Sequence, residues 1–160
     1  MAAFSDFNLL ASLQDTLREK KFVKPTEIQA RAIPSLLAGR SLVGVAETGT
    51  GKTLSFALPV LNAVKKIENE TGAVSVAGQP RALVLVPTRE LGEQVAKVFK
   101  VFTHATRLRV RTVLGGTAMD VARRNVSGEF EVLVATPGRL VQLLQRRLVS
   151  LAEVRLLIFD

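Results

Sequence analysis

Five short apolar runs, each separated from the next by a stretch with helical signals, constrain the fold of this chain most. Four of the runs are almost wholly apolar, as strands are when a parallel sheet buries both of their faces. The alternation of strand and helix predicts an α/β doubly wound fold, a mostly parallel sheet flanked by helices. Ligands are expected at the carboxyl ends of its strands. The predicted strands are 41–46, 82–87, 108–114, 131–137 and 154–160.

Two helices are predicted before the first strand. Leucines recur at helical spacing from Leu9 to Leu17, with Asn8 as the predicted N-cap. The next helix has Thr26 as its cap and ends at Gly39. Pro34 lies inside it and predicts a break or a kink, because proline removes a main-chain donor.

Later helices follow each strand. One is predicted from Lys52 to Lys66, with a kink at Pro59. The polar, glycine-containing stretch 68–80 predicts the longest surface loop. Further helices are expected over 89–102, 118–126 and up to Arg147.

The charge balance favours a polyanionic partner. Lys and Arg total 22 against 14 Asp and Glu, a formal net charge of +8. Such an excess is typical of nucleic-acid binding and also occurs in basic domains without a polyanionic partner. With 160 residues and no cysteine, the chain is expected to form one domain without disulfides or thiolate–zinc sites. No signal peptide or membrane span is recognisable, so a cytoplasmic protein without a membrane partner is expected.

Residues 45–56, VAETGTGKTLSF, nearly match the phosphate-binding pattern G-x-x-x-x-G-K-[ST], with Ala46 in place of the first glycine. Gly49 and Gly51 permit the dihedral angles that turn main-chain N–H groups towards phosphate. Lys52 brings a mobile positive charge, and the Thr53 hydroxyl is suited to Mg²⁺. A glycine-rich turn without a ligand is the alternative, but the position between a strand and a helix favours the phosphate loop.

Further motifs accompany this loop in a fixed order. AETGTGKT resembles the first motif of superfamily 2 helicases, whose loop often begins with alanine. KFVKPTEIQ, at 21–29, resembles the adenine-reading Q motif of DEAD-box RNA helicases, with Phe4 as the upstream aromatic. Three motifs resemble nucleic-acid-contacting motifs of the family: PTREL (87–91), GG (115–116) and TPGR (136–139). The terminal IFD (158–160) resembles the start of the DEAD motif. Lys21 departs from the family, which has glycine there.

The resemblance implies a RecA-like domain with ATP and Mg²⁺ as cofactors. Lys52 and Asp160 are the implied catalytic residues, and Thr53 and Asp160 the implied metal ligands, partly through water. Phe22 offers a ring for stacking, and Gln29 an amide that matches adenine N6–H and N7. The nucleotide-binding residues are predicted to be Phe22, Thr26, Gln29, Thr48, Gly49, Thr50, Gly51, Lys52 and Thr53.

The three remaining motifs imply a track for the backbone of a single RNA strand. Helix N-termini and glycines at strand ends bind phosphates without reading bases. Their alternatives are an ordinary helix cap and a plain turn, and the residues themselves do not distinguish RNA from DNA. The predicted RNA-binding residues are Pro87, Thr88, Arg89, Gly115, Gly116, Thr136, Pro137, Gly138 and Arg139.

The resemblance also predicts the domain organisation. Residues 1–160 are expected to be the N-terminal RecA-like domain of a motor whose second RecA-like domain is a further partner. In the family, a glutamate after Asp160 positions the attacking water, and an arginine of the second domain stabilises charge. The 160-residue chain is therefore expected to bind nucleotide but to hydrolyse ATP negligibly.

Two other functions remain open. One is a nucleotide- or RNA-binding module without turnover. The other is a different P-loop ATPase, such as a DNA helicase or a transporter subunit, which leaves the Q motif unexplained. Arg107, Arg109 and Arg111 alternate along a predicted strand and so share one face, which favours a solvated edge over an additional RNA contact.

Overall fold

The computed structural model describes residues 2–160. A short 3₁₀ helix at Phe4–Asp6 comes before the first α-helix. The α-helices are α1 (Ala11–Glu19), α2 (Glu27–Leu37), α3 (Lys52–Thr71), α4 (Arg89–Val101), α5 (Thr103–Thr106), α6 (Met119–Asn125) and α7 (Pro137–Gln145). The strands are β1 (Ala82–Leu85), β2 (Val110–Val113), β3 (Val132–Ala135) and β4 (Leu156–Phe159).

The four strands form one parallel sheet in the order β2-β3-β1-β4. Alternate residues of β1 enter two different cores: Val84 packs with the side chains of α1, α3 and α4, whereas Leu83 packs with those of α6 and α7. Helices therefore cover both faces of the sheet. The prediction of a doubly wound α/β fold is confirmed.

The first predicted strand, 41–46, is wrong. This segment is not part of the sheet, and Val43 and Val45 are 91% and 92% exposed. A strand needs a neighbour for its main-chain hydrogen bonds, and among residues 2–160 none pairs with it. An apolar run predicts the tendency to be buried, but it does not say which neighbour will bury it.

Burial on both faces is confirmed for two of the apolar runs only. All four residues of β3 are fully buried, and β1 is almost as enclosed. In contrast, β4 exposes Leu157 and Phe159, because it lies at the edge of the sheet and no helix within residues 2–160 covers that part of its face. An edge strand pairs with a neighbouring strand on one side only, and its other side is left unpaired.

Capping residues and glycines in the sequence predicted most helix ends to within a few residues. Thr26 caps α2 as predicted, and Gly39, with φ +80°, follows its end. The helix nevertheless continues past Pro34 to Leu37, so that proline does not end it. Similarly, α3 runs beyond Pro59 to Thr71, which leaves a shorter loop than the predicted 68–80.

The start of α1 differs from the prediction. Its N-cap is Leu10 and not Asn8. The main-chain N–H of Leu10 donates instead to the buried Asn62 Oδ1 on α3, at 2.9 Å. A tertiary contact thus satisfies a main-chain N–H at the start of the helix. Its partner lies 52 residues away in the sequence, so local patterns do not reveal it.

The edge at β2 is held by a buried carboxylate. Glu131 is almost fully buried and accepts from the main-chain N–H of Arg109 at 2.6 Å and from its Nη2 at 2.7 Å. The hydrogen bond to Glu131 raises the pKa of Arg109 further above its ordinary value. Removing one member of such a pair leaves an uncompensated charge, so Glu131 and Arg109 are expected to act together in stability.

One strained residue lies where the sequence departs from the Q motif that it resembles. Lys21 has φ +63°, in the left-handed region, as the chain turns from α1 towards Phe22. The N–H of Phe22 donates to the Leu17 carbonyl at 2.8 Å, which fixes this turn. A side chain in this region is less favourable than glycine by about 1 kcal/mol.

Lys21→Gly is therefore expected to raise the free energy of unfolding by about 1 kcal/mol, less the entropy that glycine adds to the unfolded chain. Urea denaturation of the 160-residue chain measures it. Lys20→Gly is the matched control, because Lys20 has φ −83° and gains nothing from glycine. Equal destabilisation by both substitutions would show that the turn at Lys21 carries no strain.

Candidate nucleotide and nucleic-acid site

Main-chain hydrogen bonds link the carboxyl ends of all four strands into one row. The N–H of Asp160 donates to the Leu85 carbonyl at 2.9 Å, and that of Val86 donates to Ala135 at 2.9 Å. The N–H of Thr136 then donates to the Val113 carbonyl at 3.1 Å. The predicted site residues that follow these strands are thereby fixed relative to one another.

The predicted phosphate loop has the backbone that such a loop needs. Gly49 and Gly51 both have φ +82°, and Gly51 is the N-cap residue of α3. The Thr50 hydroxyl donates to the Glu47 carbonyl at 2.6 Å and closes the turn. Free N–H groups and the positive end of the α3 dipole therefore meet at this loop, which can bind an anion.

Lys52 and Asp160 form an ion pair beside this loop. Lys52 Nζ lies 3.0 Å from Asp160 Oδ1, and the two side chains are 42% and 3% exposed. The second carboxylate oxygen, Oδ2, is buried without a hydrogen-bond partner. A buried carboxylate normally satisfies both oxygens, so Asp160 has bonding capacity for a further group.

The Gln29 amide joins the predicted adenine reader to the phosphate loop. Its Oε1 accepts from the Thr26 N–H at 2.9 Å, and its Nε2 donates to the Gly51 carbonyl at 3.0 Å. Thr26 Oγ1 accepts in return from the Gln29 N–H at 3.5 Å. The amide keeps one N–H and one acceptor site for a ligand, because a primary amide has two of each.

The two phenylalanines of the Q-motif region differ in exposure. Phe4 is buried, whereas Phe22 is 42% exposed. Their rings meet edge to face, with centroids 6.2 Å apart. The N–H of Phe4 also donates to the Val23 carbonyl at 3.0 Å. Phe4 thus supports the Phe22 ring, and part of that ring remains open to a flat ligand.

The nucleic-acid motifs also lie together. Thr88 caps α4 by accepting from the Leu91 N–H at 3.2 Å. Arg89 follows it, exposed, and pairs with Glu93 at 3.0 Å. Gly116 has φ +83°, and a side chain there would lie 3.4 Å from the Arg89 guanidinium. The PTREL and GG motifs are therefore neighbours in space.

The TPGR motif is joined to the same GG turn. The N–H of Gly115 donates to Thr136 Oγ1 at 2.9 Å, and Arg139 donates from Nη2 to the Thr117 carbonyl. Pro137 is the first residue of α7, and Pro137 and Gly138 are exposed beside these contacts. All three predicted RNA motifs thus converge at the ends of β1, β2 and β3.

Two contacts of this region were missed from the sequence. Glu93 pairs with Arg89, and its i,i+4 spacing on a helix was a usable signal. Thr117 holds Arg139 through a main-chain carbonyl, for which no side-chain pattern exists.

Comparison with known proteins identifies the family. The DEAD/DEAH box helicase family matches residues 26–160. The chain belongs to that family. It is 36% identical over 159 residues to the RNA helicase CrhR of Synechocystis sp., covering 99% of this chain and 30% of that protein. It is 40% identical over 158 residues to the ATP-dependent rRNA helicase RRP3 of Yarrowia lipolytica, covering 98% of this chain and 31% of that protein.

A solved helicase structure has the same fold. The crystal structure of the RNA helicase Prp28 from Chaetomium thermophilum bound to ADP superposes with a TM-score of 0.86 at 33% identity. The match covers 100% of this chain and 38% of the Prp28 chain. The DEAD-box chain described here therefore spans about a third of the length of these relatives, and its fold is that of a RecA-like helicase domain. None of the helices within residues 2–160 has the length and apolarity to cross a membrane.

The bridging role of Gln29 in this domain is testable. Gln29→Ala removes the acceptor of the Thr26 N–H and the donor to Gly51, so a loss of about 2 kcal/mol in unfolding free energy is expected. Amide hydrogen exchange in residues 47–53 should become faster, because the loop loses its tie to α2. Gln94→Ala on the exposed face of α4 is the control. Unchanged exchange in the loop would contradict the bridge.

Proposed function

We propose that this chain is the first RecA-like domain of an ATP-dependent RNA helicase of the DEAD-box type. One observation carries the proposal: Gln29, Lys52 and Asp160 come from distant parts of the sequence and are connected around one loop. Gln29 contacts Gly51, Gly51 begins the helix that carries Lys52, and Lys52 pairs with Asp160. The similar proteins CrhR, RRP3 and Prp28 are RNA helicases, which supports the same function.

In this proposal the loop binds the phosphates of ATP. Main-chain N–H groups from Thr48 to Thr53 surround the β- and γ-phosphates, and Lys52 exchanges its ion pair with Asp160 for a phosphate oxygen. The side chain of Lys52 is long, flexible and 42% exposed, so this exchange requires no rearrangement of the core. The ADP bound by the similar Prp28 structure is consistent with the proposal.

Mg²⁺ is the proposed second cofactor, and Asp160 fits it. The free, buried Oδ2 of Asp160 is a hard oxygen ligand beside the phosphate loop, and Thr53 lies at the start of α3. Mg²⁺ would take its other ligands from phosphate oxygens and water, and it would neutralise charge on the phosphates when bound. Release of Asp160 by Lys52 makes the carboxylate available for this role.

Adenine is the proposed base. The remaining N–H and acceptor site of the Gln29 amide match adenine N7 and N6–H, whereas guanine presents O6 in place of the amino group. The exposed part of Phe22 supplies a stacking face. Guanine would leave the Gln29 oxygen facing another acceptor, which is unfavourable.

RNA is the proposed polymer, bound by its backbone along the ends of β1, β2 and β3. The α4 N-terminus, the GG turn and Arg139 offer N–H groups and positive charge but no base-reading edge. Binding is therefore independent of sequence. A second RecA-like domain in the longer protein is proposed to complete both sites and to couple ATP turnover with local strand separation.

The 160-residue chain itself is proposed to bind ligands with negligible hydrolysis. Turnover needs a group that orients the attacking water and a cation that stabilises the transition state, and the motifs found here assign neither. A binding module without turnover is thus the behaviour expected of this stretch alone. The cysteine-free sequence fits a reducing compartment, and the cytoplasm is the proposed location.

Lys52→Ala is expected to weaken Mg²⁺-ADP binding roughly 10- to 100-fold, since a hydrogen bond to a charged group contributes about 1.5–3 kcal/mol. Isothermal titration measures the affinity. Lys66→Ala, an exposed lysine on the same helix, is the control. For the unmodified chain, GDP should bind roughly tenfold more weakly than ADP. Equal affinity of Lys52→Ala and the unmodified chain for ADP would refute the phosphate loop.

Arg139→Ala is expected to weaken binding of a six-nucleotide RNA and to reduce its salt dependence. Three phosphate contacts predict a slope near −2 for the logarithm of affinity against that of salt, and loss of one contact reduces it by about 0.7. Fluorescence anisotropy between 50 and 200 mM salt gives both values. Arg146→Ala, exposed near the other end of α7, should have no effect. A slope near zero in the unmodified chain would rule out the track.

A further inference from the structure

A basic hollow lies along the outer edge of β2, away from the nucleotide loop. It has a volume of about 470 Å³ and is lined by the end of α4, by α5 and by the start of β2. Four of its lining side chains are cationic, and none is acidic. The cations are Lys100, Arg107, Arg109 and Arg111.

Three of these cations are available for a ligand. Arg109 already forms an ion pair with the buried Glu131, and its guanidinium also lies 3.9 Å from the Glu129 carboxylate. Across residues 2–160, by contrast, Lys100, Arg107 and Arg111 form no ion pair within 4.0 Å. Three unpaired cations around one hollow produce a positive potential that attracts an anionic ligand.

The hollow continues towards the proposed RNA track. Lys100 also lines a second hollow of about 480 Å³, which extends between α4 and β2 to Thr112 and to Glu90 in the first turn of α4. Glu93, which also lines the second hollow, already forms an ion pair with Arg89. Arg111 lies four residue steps before Gly115 of the track, about 13 Å of extended chain or the length of about four stacked nucleotides.

We propose that this basic β2-edge hollow binds the backbone of the same RNA strand beyond the track, through Lys100, Arg107 and Arg111. The inference rests on the proposed RNA-binding function and adds a second contact region to it. Long, flexible cations suit phosphates whose positions vary with sequence. The hollow offers no aromatic anchor, and Leu108 and Val110 are buried, so it lacks the apolar centre of a protein interface.

The experiment compares two RNA lengths on three proteins. The hollow variant carries Lys100→Ala, Arg107→Ala and Arg111→Ala. The control carries Lys20→Ala, Arg124→Ala and Arg146→Ala, which remove the same charge from exposed positions on or next to α1, α6 and α7. Oligouridylates of 6 and 20 nucleotides are titrated by anisotropy from 50 to 200 mM salt at constant pH.

The hollow variant should lose at least tenfold in affinity for the 20-mer at 50 mM salt. Its salt slope should fall by about 2, because three cations at about 0.7 each no longer release counterions. Its affinity for the 6-mer should stay within twofold, since the track is intact. The control variant should keep both affinities within twofold.

Each contrary result has a separate meaning. If both RNAs bind and the hollow variant equals the control, the hollow is solvated surface and the inference fails while the track stands. If the 6-mer does not bind the unmodified chain, the proposed function itself fails. If decaglutamate displaces the 20-mer but not the 6-mer from the unmodified chain at equal concentration, the hollow favours an acidic peptide, and the inference is overturned.

Discussion

The parallel ladder on both sides of β1 is the constraint on which the rest of this domain depends. β1 pairs with β3 on one side and with β4 on the other, and every pairing in the sheet is parallel. Parallel strands must all end at the same edge, so the chain segments that follow them meet there. An antiparallel β4 would carry Asp160 to the opposite edge, far from the loop that it contacts. The site is thus a consequence of strand direction before it is a consequence of any side chain.

Two side-chain contacts then attach the phosphate loop to this edge. The ion pair between Lys52 and Asp160 joins α3 to the end of β4, and the Gln29 amide joins the Gly51 carbonyl to α2. Both contacts use groups that a nucleotide would also use. In the proposed function, the amide and the ammonium that hold the loop in shape also contact the nucleotide, which would lower the cost of ordering the site on binding.

Features fixed by neighbouring residues were predictable from the sequence. The Thr26 cap, the positive φ of Gly49 and Gly51 and the four strands of the sheet follow from spacing, from apolar runs and from what glycine and threonine do locally. Features fixed by distant residues were not. The segment 41–46 is apolar but pairs with no strand among residues 2–160, and the Leu10 N–H donates to the distant Asn62 Oδ1. The motif residues of the candidate site were predicted from their order along the chain, and the structure brings them together at one edge.

The arginines near β2 illustrate the same limit. Their alternating spacing suggested one shared face and one role. In the fold, Arg109 is committed to the buried Glu131, whereas Arg107 precedes the strand at φ +60° and Arg111 lies on it. All three still line one hollow, but two are free and one is structural. No pattern of charges along a strand distinguishes these roles, because the distinction depends on a carboxylate 22 residues away.

The row of hydrogen bonds across the strand ends gives the domain a physical link between its two proposed ligands. The N–H of Asp160, beside the phosphate loop, donates to the Leu85 carbonyl, and the N–H of Val86, which follows Leu85, donates to the Ala135 carbonyl in the part of the edge proposed to bind RNA. A shift of Asp160 when Lys52 moves to phosphate would act directly on the end of β1, which leads into Thr88 and the α4 N-terminus. Coupling requires that this end of β1 have two arrangements that nucleotide and RNA favour differently. β1 has four residues, and only three residues separate its last residue, Leu85, from the start of α4, so a displacement of this tip would pass directly to the N-terminus of that helix.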